Sequence, residues 1–115
     1  MEKLKVGDVV YSYINNGTTL IMSGVDRLTN NWAILFNGDR LRNVPYLSSS
    51  GRRIYYNSVG RDFHPWYQET DLLKENYIIQ RKKNKASVLV NKINFDTLNS
   101  TQLDQLIELL TSFNQ

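Results

Sequence analysis

The chain has 115 residues, 41% of them hydrophobic and 22% charged, with no cysteine and a net charge of +3. That is enough chain for one globular domain with one core, and it excludes disulfides and thiolate metal sites outright. Its charge is segregated: residues 71–92 carry six bases against two acids, whereas residues 93–115 carry three acids and no base.

Residues 5–14 read as a first strand, with Val9, Tyr11 and Tyr13 on one face and Val10, Ser12 and Ile14 on the other. Asn15-Asn16-Gly17 is a turn signal. Residues 18–28 read as a longer second strand in which Gly24 marks a bulge or bend. The apolar run Trp32–Phe36 reads as a short third strand. Asn37-Gly38 suits a type I′ hairpin turn, so residues 39–44 should pair back with Leu41 inward and Arg40 and Arg42 outward. Pro45 to Gly51 reads as a serine-rich loop, 52–57 as a fifth strand, and 58–68 as irregular chain broken by Gly60 and Pro65.

Thr70 is placed to cap a helix beginning at Asp71. No Gly or Pro interrupts 71–92, although the stretch Ser87–Val90 also suits a strand. As a helix it puts Leu72, Ile79, Ala86, Val90 and Ile93 on one face and Lys74, Arg81, Lys85 and Lys92 on another. Asn99 with Gln102 forms the pattern of a capping box ahead of a second helix. There Leu103, Leu106, Ile107, Leu110 and Phe113 make the cleanest amphipathic stripe in the chain.

The expected fold is therefore β-rich α+β: a five-stranded small barrel over about residues 4–60, followed by a two-helix tail over about 70–113 packed on it, as a single domain. The expected core is Val9, Tyr11, Ile21, Val25, Ile34, Phe36, Leu41, Ile54, Leu103, Leu106, Ile107 and Leu110. The segments KVGDVVY (5–11), WAILFNGDRLR (32–42) and LNSTQLDQLIELL (98–110) together resemble small SH3-like barrel proteins with a C-terminal helical tail from phage and bacterial mobile elements. The resemblance implies a fold and no particular activity. Tyr46 to Trp66 lies outside it, and a special function is expected there.

Signatures of catalysis are weak. His64 is the only histidine; Asp62 and the serines Ser48, Ser49 and Ser50 lie near it in sequence, but no nucleophile elbow accompanies them. No metal-ligand spacing or phosphate-binding glycine loop is present, so no cofactor or metal is expected. The N-terminal segment lacks an apolar signal core and no run approaches the length of a membrane span, so a soluble cytoplasmic protein is expected.

What remains is a surface of arginine and aromatic residues: Arg40, Arg42, Arg52, Arg53 and Arg61 around Tyr46, Tyr55, Tyr56, Trp66 and Tyr67, joined by Arg81 and Lys85 of the helix. Arginine neutralises phosphate and aromatic rings stack on bases, so the expectation is a non-catalytic nucleic-acid-binding module. The same residue types dominate protein interfaces. A phage-type interaction module binding a host protein or defence complex is the alternative expectation, nearly level with the first.

Overall fold

The structure is a computed structural model that describes residues 2–59 and 64–114. The chain divides into two compact units, residues 1–81 and 82–115, with one helix running from the first into the second.

The first unit is a curled antiparallel sheet. Seven strands lie among the described residues: β1 Val9–Ile14, β2 Thr19–Leu28, β3 Trp32–Leu35, β4 Arg40–Arg42, β5 Tyr46–Leu47, β6 Ile54–Asn57 and β7 Pro65–Gln68, in the order β4-β3-β2-β1-β7-β6-β5. The count of five expected from sequence is therefore corrected to seven. The two additional strands lie in segments read as loop: β5 within 45–51 and β7 within 58–68. Both are short, and β7 starts at a proline; neither gives a run long enough for alternation to register.

β2 is the corner of the sheet. Its first half pairs with β1, its second half with β3, and the register shifts between Val25 and Arg27. A bulge there turns the strand from one wall to the other. The β4 edge of the sheet meets the end of β6 at one bridge, Leu41 with Ser58, beside a hydrogen bond from the Val59 amide to the Arg40 carbonyl (2.9 Å). The turns follow the local chemistry, with one exchange. Asn15 and Asn16 both adopt positive φ (53° and 57°). At Asn37-Gly38 only Gly38 does (φ 92°); its amide bonds to the Leu35 carbonyl and the Leu35 amide to the Asp39 carbonyl. That is a three-residue loop closing on a left-handed glycine, in place of the expected type I′ turn.

The concave face holds the main core: Leu4, Val10, Val25, Ala33, Leu35, Leu41, Tyr56 and Trp66. β3 therefore buries Ala33 and Leu35, one register step from the expected Ile34 and Phe36; Phe36 is 72% exposed at the turn. A one-residue slip exchanges the faces of a strand, and a five-residue apolar run contains no alternation to set it. Asn43 holds the N-terminal segment over this core, accepting from the Leu4 amide (2.7 Å) and donating to its carbonyl (3.1 Å).

The convex face of β1 and β2 packs against α1, Asp71–Asn91. Thr70 caps it, its hydroxyl accepting from the Leu73 amide at 3.1 Å. The packing face is Leu73, Tyr77 and Gln80, with Leu73 buried beside Tyr11 and Leu20, so the expected face containing Leu72 and Ile79 is corrected: both are exposed. Gln80 is the reason. Leu20 lies in the part of β2 that β3 does not reach, and the Gln80 amide meets both backbone groups there: the Leu20 N–H donates to Gln80 Oε1 (2.8 Å) and Gln80 Nε2 donates to the Leu20 carbonyl (2.7 Å). One side chain thus supplies the hydrogen bonds of a missing strand neighbour.

The second unit contains the remainder of α1, a 3₁₀ turn at Phe95–Thr97 and α2, Ser100–Phe113. Residues 87–90 are helical. The capping box is formed, Asn99 Oδ1 accepting from the Gln102 amide and Gln102 Oε1 from the Asn99 amide. No residue of α2 is buried: Leu103 and Leu106 are half-buried, Ile107 and Leu110 exposed. The stripe expected in the core is therefore not core. No helix among the described residues is long and apolar enough to cross a membrane.

Candidate binding surface

A row of tyrosines crosses the convex face. Cross-strand pairing sets Tyr46 opposite Tyr55, Tyr55 opposite Tyr67, and Tyr67 opposite Tyr11. Directly paired residues project to the same side of a sheet, so four adjacent strands present their rings to one face. The rings of Tyr46 and Tyr55 are stacked at 5.7 Å, those of Tyr55 and Tyr67 are 6.1 Å apart, and Tyr13 meets Tyr67 edge-on at 6.1 Å. The row begins under α1, where Tyr77 packs edge-on against Tyr11 at 5.8 Å. It emerges beyond the helix with Tyr67 and Tyr55 half-buried and Tyr46 exposed at the free β5 edge.

The serine-rich loop positions an arginine on this row. Ser48 bonds twice to Arg53: the Arg53 amide donates to Ser48 Oγ (3.1 Å), and the Ser48 amide donates to the Arg53 carbonyl (2.8 Å). The Gly51 amide bonds to the Ser48 carbonyl (2.8 Å) with Gly51 at φ 72°, so the hairpin closes tightly. The Arg53 guanidinium then lies 4.6 Å from the centre of the Tyr67 ring. Two open hollows adjoin it. One, of about 530 Å³, is lined by Arg52, Arg53, Tyr13 and Asn76; the other, of about 420 Å³, by Ser48, Tyr55, Asn57 and Tyr67.

Of the residues expected from sequence, the structure therefore brings Arg52, Arg53, Tyr55 and Tyr67 together. It places Arg40 and Arg42 elsewhere, on β4, where Arg42 lies 5.8 Å from the centre of the Trp32 ring beside a separate 620 Å³ hollow. Trp66 and Tyr56 are buried, so their rings belong to the core and offer no contact surface. Arg81 stacks at 5.9 Å on Tyr77, and Lys85 is exposed on the part of α1 in the second unit. Arg61 and Asp62 lie outside the described residues. The His64 amide donates to Ser58 Oγ (2.9 Å), and the His64 ring lies 5.6 Å from that of Trp66. Among the described residues no group of three or more His, Asp or Glu side chains is arranged to hold a metal ion.

Sequence reasoning placed Tyr46 among the aromatic residues of the surface but missed Tyr13 as a member of the row. The signal was the one-in-two spacing of Tyr11 and Tyr13, but joining it to Tyr46 needs the strand order. Comparison with known protein families, curated proteins and solved structures finds no match to this chain.

Proposed function

We propose that this chain is a non-catalytic module that binds single-stranded nucleic acid along the tyrosine row, with Arg52 and Arg53 contacting phosphate. The observation that carries the reading is the Arg53–Tyr67–Tyr55–Tyr46 series, which continues from the sheet onto an exposed edge. Aromatic platforms accept any base through its π face, and flanking arginines track the backbone. We read the sheet as an SH3-like barrel of the phage and mobile-element kind. In support, the order β4-β3-β2-β1-β7 follows the arrangement of a five-stranded SH3-like barrel once the β5–β6 hairpin is taken as an insertion. That insertion supplies Tyr46, Tyr55 and Arg53, all within the stretch that the sequence resemblance leaves out.

Titration of a labelled single-stranded oligonucleotide with the full chain, at low and moderate salt, tests this. Tyr55→Ala should weaken binding by about 1–3 kcal/mol, the usual worth of one stacked base. Arg52→Ala with Arg53→Ala should lower the salt slope by about one for each phosphate that is no longer neutralised. Arg40→Ala with Arg42→Ala should leave both unchanged. Absence of oligonucleotide binding at low salt would sink the reading and leave a protein partner for the same tyrosines.

A further inference from the structure

The second unit buries nothing of its own. From Lys82 to Asn114 every side chain is half-buried or exposed, yet two apolar stripes run through it. On α1, Ala86, Leu89 and Val90 follow the i, i+3, i+4 spacing of one helical face, with Leu89 and Val90 55% and 56% exposed, and Ile93 follows two residues past its end. On α2, Leu103, Leu106, Ile107 and Leu110 repeat the spacing, with Ile107 and Leu110 61% and 45% exposed. A helix buries its apolar stripe by packing it against another element, and in this unit neither stripe is covered.

Charge indicates what covers them. The α1 stripe is flanked by lysines, Lys83 on one side and Lys85 on the other, Lys92 follows the helix end, and residues 82–92 contain no acid. The α2 stripe is flanked by Asp104 and Glu108, and residues 93–115 contain no base. Among the described residues the one ion pair is Lys5 with Glu2, so none of these charges is paired. The unit thus carries a basic apolar face and an acidic apolar face, each the complement of the other.

We propose that this unit is a self-association surface, and that two copies of the chain pair so that α1 of each packs along α2 of the other. A twofold axis makes both contacts at once and gives a four-helix bundle with opposite charges flanking each seam. This goes beyond the nucleic-acid reading and does not depend on it.

Sedimentation of the nuclease-treated full chain, without oligonucleotide, tests the proposal. The wild type should dimerise, with a Kd that rises with salt. Two charge-reversed variants make the test specific to association between chains. One carries Lys82→Glu, Lys83→Glu and Lys85→Glu, so both its faces are acidic; the other carries Asp104→Lys and Glu108→Lys, so both are basic. Each alone should dimerise at least about tenfold more weakly, because like charges meet at both seams. An equimolar mixture should recover a one-to-one heterodimer, which no pairing within a chain can produce. Near-ultraviolet circular dichroism of the sheet's tyrosines and tryptophans checks that both variants keep the first unit folded. A wild type that stays monomeric across the concentration range overturns the proposal. So does a mixture that fails to associate, or assembly that disappears with nuclease treatment.

Discussion

The two units of this chain use similar residues to different ends. In residues 1–81 leucine, valine and aromatic side chains close a core in which Val10, Val25, Ala33, Leu41 and Trp66 are wholly buried. In residues 82–115 leucine, isoleucine and valine are at least as frequent, yet none is buried. The sheet curls back on itself and so encloses its own concave face, whereas a pair of helices has no inside. An amphipathic stripe therefore shows that something must cover it and leaves open what does so.

The sharpest test of this contrast is truncation in the sheet. Trp66→Ala should destabilise the chain by about 3–5 kcal/mol, by loss of transfer energy and creation of a cavity, as read by denaturant unfolding. A small effect would show that the ring is surface after all. Gln80→Ala comes next, at about 1–3 kcal/mol, because it leaves the Leu20 N–H and carbonyl without partners on the side of β2 that β3 does not reach. Faster amide exchange at Leu20 in the variant would locate the loss.

Tyr11→Phe should cost less, about 0.5–1.5 kcal/mol, for one hydrogen bond to an exposed carboxylate. The Tyr11 hydroxyl donates to Glu69 Oε2 at 2.7 Å. Burial first, then the Glu69 bond and charge, hold its pKa well above the ordinary value of 10.0. Burial, with Asp8 and Glu2, raises Tyr56 too. Above pH 10.0 the unfolded chain releases these protons while the folded chain keeps them, so stability present below that pH is lost as pH rises beyond it. Tyr11→Phe should flatten that alkaline decline; an unchanged decline would assign it to other groups.

The smallest effect belongs to the second unit. Leu110→Ala, measured on dilute monomer, should change stability by no more than about 0.5 kcal/mol, as exposed sites do. A loss of several kcal/mol without change of oligomeric state would mean that the chain covers this stripe itself.

The features legible in the amino-acid order alone were local. The Thr70 cap, the Asn99–Gln102 capping box, the Asn15-Asn16-Gly17 turn and both helices could be read because each depends on residues within a turn or so of one another. Strand existence was legible for β1 to β4 and β6, where apolar runs and turn residues bound each segment. Of the candidate surface, Arg52, Arg53, Tyr46, Tyr55 and Tyr67 were legible as types, arginine beside aromatic, but their company was not. Trp66 and Tyr67 are neighbours in sequence and face opposite sides of the same strand; only the pairing of β7 with β1 and β6 puts one in the core and the other in the row. The same holds for Phe36 against Leu35 and for Leu72 against Leu73. Which face of an element is buried is decided by what lies against it, and those partners come from distant parts of the chain. The sharpest case is Gln80: a polar residue on the packed face of a helix runs against the apolar pattern, and its place there is explained only by the backbone of Leu20, sixty residues away.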